Sequence, residues 1–196
     1  MYVNNKPQKR DQQMHVRKNV KIALVCVAFL WMVYFIGLIL PFDLRSYGIS
    51  PRTIQGLLGL IASPFLHSGL GHLVSNSLAL AALLSISLMY SRKLTVEVVI
   101  ISALLGGGFV WLFGSRNTVH VGASGVIFGL VGYLLAIGLF RRELLALVVS
   151  LVVFFYYGYT LFSLFVVLPG VSWSGHFFGF ASGVFAAWLT RKDTIS

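Results

Sequence analysis

Six apolar stretches, each close to or beyond the length of a bilayer crossing, follow one another within 196 residues. They cover Val20–Leu40, His72–Met89, Leu94–Phe113, Ser124–Phe140, Leu144–Val167 and Trp173–Leu189. A helical crossing needs roughly 17–25 apolar residues. In lipid every backbone polar group must be satisfied inside the segment, so such runs become helices. Hydrophobic residues make up 58% of the chain and charged residues 10%, where a soluble domain is about a quarter charged. A core of this size cannot hide so much apolar surface from water. A soluble α/β enzyme, a collagen and a disordered chain are excluded. One cysteine, Cys26, excludes a disulfide framework and a Cys-based zinc site. The expected fold class is an all-α polytopic membrane protein.

The flanking segments are polar. Residues 1–19, Met1 to Asn19, are basic and lack the short apolar region and cleavage site of a signal peptide. They are expected to form a flexible cytoplasmic tail ahead of one domain over residues 20–190, with a short cytoplasmic tail at 191–196. The one long connection is Pro41–Gly71, and loops of that length tend to be functional. Within it Thr53–Leu66 is apolar but broken by Gly56, Gly59 and Pro64, so it reads as interfacial or re-entrant.

Lys and Arg set the orientation. With six crossings, one side holds Lys6, Lys9, Arg10, Arg17, Lys18, Lys21, Arg92, Lys93, Arg141, Arg142, Arg191 and Lys192, and the other Arg45, Arg52 and Arg116. Twelve against three is a strong cytoplasmic bias, so both termini are expected in the cytoplasm. These cations sit in small groups between apolar runs. They therefore explain the net charge of +10 without a nucleic-acid partner.

Ionisable groups inside a membrane are costly and mark function by default. His72 and Asn76 open the second stretch, one helical turn apart and so on one face. Gly122-Ala123-Ser124-Gly125 opens the fourth, and Gly175-His176 the sixth. All three openings fall at the outer face. Serine with histidine is a nucleophile with its base. Asp11, Glu97, Glu143 and Asp193 fall on the cytoplasmic side and Asp43 in the long loop. A hydrolase built here would be a dyad, with packing by an aromatic such as Phe128 orienting the imidazole. Asn76, His72 and the Ser124 backbone N–H are the available oxyanion donors. Gly125 with Gly129, and Gly175 with Gly179 and Gly183, form rows of small residues that let two membrane helices approach. Ser85, Ser87, Ser102, Ser150 and Ser182 read as serines bonded to their own helix backbone. His67, His72, His120 and His176 lack the carboxylates and the spacing of a metal site.

Taken together these motifs resemble the rhomboid intramembrane serine proteases, in their minimal six-helix bacterial form. The resemblance runs from about Tyr47 to Leu189. It is carried by His67, His72 and Asn76 (H-x-x-x-x-H-x-x-x-N), by Gly122-Ala123-Ser124-Gly125, and by Gly175-His176 with Gly179 and Gly183; Ser63-Pro64-Phe65-Leu66-His67 is also typical. It implies a six-helix bundle with a long first loop partly in the outer leaflet. It implies Ser124 as nucleophile, His176 as base, and His72, Asn76 and the Ser124 N–H as oxyanion hole. Substrates would be single-pass membrane-anchored proteins cut in or beside their helix, with no metal or cofactor. The setting would be the cell membrane, with the site open to the outer face. Leu144–Val167 and the loop Leu168–Ser172 would act as gate and cap. Three features depart from the family pattern. Phe128 replaces a tyrosine, Ser91-Arg92-Lys93 stands in place of a Glu-x-Arg, and the first loop shows no Trp-Arg pair, Arg52 being its loose counterpart. The rival classes are a non-catalytic relative that binds membrane proteins, and a transporter. The first typically lacks the serine or the histidine, and the second calls for paired charges near the midplane.

Overall fold

A computed structural model describes residues 9–166 and 171–192. Most of the expected cap, Leu168–Ser172, and all of residues 1–8 and 193–196 lie outside these residues. Helix α1 covers Lys9–Ile39. A 3-10 turn at Leu44–Tyr47 leads to α2, Ile54–Ala62, extended by a further 3-10 turn, Ser63–Phe65. Helix α3 is Leu70–Tyr90. Helices α4, Arg92–Ile101, and α5, Gly107–Phe113, run on through a π-turn at Ser102–Gly106. Helix α6 is Ser124–Arg141. Helix α7, Leu144–Tyr157, continues as 3-10 helix over Gly158–Leu164. Helix α8 is Trp173–Leu189. Five of these segments are long and apolar enough to cross a membrane: Gln12–Ile39, Leu70–Tyr90, Arg92–Phe113, Ser124–Arg141 and Leu144–Leu164. Helix α8, at 17 residues, is shorter.

The bundle is built around α6. Two thirds of its span (67%) is buried in protein, against 11% for α1 and 17% for the α7 segment. A helix apolar on every side belongs at a centre, and Leu130, Val131, Tyr133, Leu134 and Ile137 are all inaccessible. Glycine sets how closely α8 approaches. A Cβ on Gly179 would strike the Gly125 carbonyl, and one on Gly183 the Gly129 carbonyl. The two rows of small residues are therefore one seam of backbone against backbone.

The amino-terminal segment differs from the expected flexible tail in one respect: it is helical from Lys9, ten residues ahead of Asn19. Asn19 is buried, donates to the Leu88 carbonyl (3.0 Å) and accepts from Arg92 Nε (2.7 Å). A polar residue that reads as outside the bundle is thus held inside it. At the same corner, where Glu-x-Arg is missing, Ser91 caps α4 and Ser87 bonds Thr95 at 2.8 Å. Ser85, Ser150 and Ser182 do bond back to their own helices. Ser87 instead reaches across the corner, and the Ser102 hydroxyl, buried against Gly129, has no partner among the described residues.

The long first loop is structured. Gly56 rests on the Ser50 backbone and Gly59 on that of Gly48. An isolated antiparallel bridge pairs Ile49 with His120, with both hydrogen bonds at 2.9 Å. Arg52, in the left-handed region at φ 59, donates to the carbonyls of Leu112 (2.6 Å) and Gly114 (2.8 Å), while Trp111 donates to that of Thr53 (2.8 Å). The Arg52 N–H also donates to the Trp111 carbonyl at 3.0 Å, and together these bonds fix the loop to the end of α5.

Candidate active site

Ser124 is the first residue of α6 and His176 lies one turn into α8. The close approach of these helices brings their openings together. A Cβ added to Gly125 would lie 3.7 Å from the Gly175 carbonyl oxygen, an ordinary van der Waals contact. The residue after Ser124 thus packs against the residue before His176. Both side chains line a cavity of about 790 Å³, shared with His72, Asn76, Tyr157 and Thr160. Among the described residues the Ser124 hydroxyl forms no hydrogen bond with His176. Such bonds are often long before substrate binds.

The Phe128 ring lies flat on His176, with centroids 4.1 Å apart and planes at 19°. Phe128 is itself 3% exposed, so it cannot turn aside, and it fixes the plane of the imidazole. His176 Nδ1 is 3.2 Å from the Ser163 hydroxyl. Asp43, Glu97 and Glu143 are engaged elsewhere. Asp43 pairs with Arg45 at 2.8 Å, Glu97 lies 3.8 Å from Lys93, and Glu143 lies 3.8 Å from Arg141. The Arg45 hydrogen bonds hold the Asp43 carboxyl below its ordinary range.

The wall opposite is made by α3 and the turn before α6. Gly122 has φ +118, and its α-carbon is so close to His72 and Asn76 that a Cβ would fall 2.6 Å from His72 Nε2 and 3.2 Å from Asn76 Nδ2. Only glycine suits that conformation and that space. Its N–H donates to the Ser63 carbonyl at 2.9 Å, which turns the backbone towards the α6 terminus. Asn76 is 6% exposed and its Nδ2 has no hydrogen-bond partner among the described residues. A buried amide donor left open costs free energy unless something accepts from it. The Ser124 N–H, in the first helical turn, is likewise without an intrahelical acceptor. His72 Nδ1 meets Ser68 at 3.0 Å. His67 packs edge-on against His72, with centroids 5.2 Å apart. Burial, and then the neighbouring His72 charge, push His67 down to about 4.

The structure thus brings Ser124, His176, His72, Asn76, Gly122 and Phe128 to one cavity, with His67 behind His72. Gly125, Gly129, Gly179 and Gly183 lie along the seam below. Several groups at the site were not singled out by sequence. Ser163 faces His176. Ser172 caps α8 by accepting from the Gly175 N–H (3.1 Å) and meets His120 Nδ1 at 2.7 Å, while His120 Nε2 meets Thr118 at 2.9 Å. His120, weighed above only as a metal ligand, ties the turn before Ser124 to the start of the helix carrying His176. Burial lowers its pKa.

A model of the rhomboid domain matches residues 55–193. The chain belongs to the rhomboid family. An uncharacterized Mycobacterium tuberculosis protein (strain H37Rv) is 38% identical over 174 residues, covering 85% of this chain and 72% of its own. A Mycobacterium leprae protein, also uncharacterized, is 34% identical over 174 residues, covering 85% and 69%. YdcA of Bacillus subtilis, named as a candidate rhomboid protease, is 29% identical over 131 residues, covering 66% and 65%. Rhomboids are a family of intramembrane proteases, and the apolar helices described above accord with a multi-pass membrane protein that meets its substrates in the bilayer.

Proposed function

We propose that this rhomboid is a serine-type endopeptidase that uses Ser124 and His176 to cut single-pass membrane-anchored proteins within or beside their membrane helix. The observation that carries this reading is the packing of Gly125 on the Gly175 backbone, which supports a working distance between the two side chains in a shared cavity. Helix α8 completes six crossings. The Lys and Arg distribution supports cytoplasmic termini, a cavity open to the outer face and residence in the cell membrane.

In the reaction a substrate helix enters beside α7 and locally unwinds, because a helical peptide bond is shielded. The neutral His176 takes the Ser124 proton as Oγ bonds to the scissile carbonyl carbon. The tetrahedral oxyanion receives hydrogen bonds from Asn76 Nδ2, the Ser124 N–H and His72. His176 then gives the proton to the leaving amine as the C–N bond breaks. Water, deprotonated by the same imidazole, releases the acyl group from Ser124. Phe128 keeps the ring plane, in place of the carboxylate of a triad.

The test is cleavage of a tagged model membrane substrate in liposomes by the native chain, Ser124→Ala, His176→Ala and Asn76→Ala. Both dyad variants are expected to be inactive with folding intact, and Asn76→Ala to lose roughly 10²–10³ in rate, as for one lost oxyanion donor. Cleavage that survives Ser124→Ala would refute the serine mechanism. A folded native chain that cuts no substrate in the panel, yet retains membrane proteins on pull-down, would favour the non-catalytic binding role.

A further inference from the structure

The His176 imidazole has a partner that no triad logic anticipates. Ser163, in the 3-10 extension of α7, places its Oγ 3.2 Å from Nδ1. The same hydroxyl donates its one proton to the Thr160 carbonyl at 2.8 Å. A serine hydroxyl has a single O–H and two lone pairs. Both contacts can be hydrogen bonds at once only if Oγ accepts from His176, which puts the proton on Nδ1. The other nitrogen, Nε2, then carries the free lone pair. The segment is held where this requires: the Trp173 indole, at the start of α8, donates to the carbonyl of Leu164, the residue after Ser163. Leu164 is 5% exposed.

We infer that Ser163 is a positioning residue that fixes the tautomer of His176, holding the proton on Nδ1 so that Nε2 is the base available to Ser124. The inference rests on the proteolytic reading above and deepens it. In a Ser-His-Asp triad a carboxylate sets the tautomer; here a hydroxyl, aligned by a backbone carbonyl, does so. Once Nε2 has taken the Ser124 proton, the bond from Nδ1–H to Ser163 strengthens, because its donor is then charged. Ser163 sits at the end of α7, beside the expected entrance. The bond therefore also ties the position of that segment to a base ready to act. A segment swung outward would release the imidazole to its commoner solution tautomer, with the proton on Nε2.

The experiment reads the tautomer directly. The chain is labelled with ¹⁵N-histidine, and nitrogen shifts with their two-bond proton couplings assign the ring protons. His176→Ala identifies the His176 signals among the five histidines. The native chain is expected to show the proton on Nδ1. Ser163→Ala should move it largely to Nε2 and lower kcat roughly 2- to 12-fold, the worth of one neutral hydrogen bond, with KM unchanged. Ser163→Thr, which keeps the hydroxyl, should restore both. A native His176 protonated on Nε2, or a tautomer unmoved in Ser163→Ala, would overturn the inference, as would equal loss in the Ala and Thr variants. Cleavage surviving in His176→Ala would instead overturn the dyad itself, a result the spectrum of the native chain separates from any failure of Ser163.

Discussion

The seam between α6 and α8 is the feature on which the site depends, and one methyl group tests it. In Gly179→Ala the new Cβ would run into the Gly125 carbonyl oxygen and lie 3.0 Å from the carbonyl carbon. Ordinary contact begins at 3.4 Å, so the backbones must part by at least about 0.4 Å to clear the carbonyl carbon (3.4 − 3.0) and by on the order of 1 Å to clear the oxygen. Overpacking of this kind costs about 1–3 kcal/mol, offset in part by up to about 1 kcal/mol of improved helix propensity. Gly179 is three residues from His176, about 4.5 Å along the helix, so the separation is passed almost whole to the distance between Ser124 and His176. A misplacement approaching 1 Å costs on the order of 10² in rate, and kcat/KM is expected to fall roughly 10- to 100-fold. Gly183→Ala is the informative companion. Its Cβ would lie 2.9 Å from the Gly129 Cα, a worse clash, but about 10.5 Å from His176 along the axis. It should lose at least as much stability and less rate. Gly108→Ala, with nothing within 4 Å, serves as control. Thermal unfolding in detergent and cleavage in liposomes read the two effects separately. A Gly179→Ala chain with native stability and a rate within twofold of native would refute the close backbone contact.

Phe128→Leu keeps an apolar side chain at the position but removes the stacked ring; it should slow cleavage up to roughly tenfold, the worth of one aromatic pair, measured as kcat on the same substrate. Arg52→Lys loses the fork that reaches the Leu112 and Gly114 carbonyls, and is expected to cost about 1–3 kcal/mol and to make the first loop open to limited proteolysis at temperatures where the native chain resists. His67 is held near 4, below its ordinary value of about 6.5, so the unfolded chain takes up the proton first. Its contribution to stability is complete above about pH 6.5 and is lost as the pH falls toward 4, about 2 kcal/mol by pH 5. Unfolding midpoints measured between pH 4 and 7 should flatten in His67→Gln; a slope equal to that of the native chain would remove His67 from the account.

Much of this was legible in the residues because its signals are local. Apolar runs mark membrane helices whatever their neighbours, and His72 with Asn76, Gly122–Gly125 and Gly175-His176 are compact motifs whose spacing alone aligns them. What stayed hidden depends on partners remote in the chain. Asn19 reads as solvated until Leu88 and Arg92 are seen beside it. Ser163 and Ser172 look like any hydroxyl in an apolar background, which usually bonds its own backbone; their histidine partners lie 13 and 52 residues away. The fifth apolar stretch gave no warning that its helix tightens to 3-10 form from Gly158. Arg52 and Trp111 show the same limit, being a pair only in space.

The π-turn at Ser102–Gly106 has a consequence for the angular phase of the chain. A turn of this type takes in one residue more than an α-helical turn, and one residue is about 100° of rotation. Ser102 faces Gly129 on one side of the turn, and Trp111 reaches the Thr53 carbonyl on the other. Plain α-helical geometry over the same residues would swing Trp111, and the carbonyls that hold Arg52, a little over a quarter of a circle away from the first loop. A substitution that strengthens α-helix within this turn therefore threatens the loop anchor, whereas deletion of one residue there, such as Leu104, would leave both halves of the helix facing as they do now.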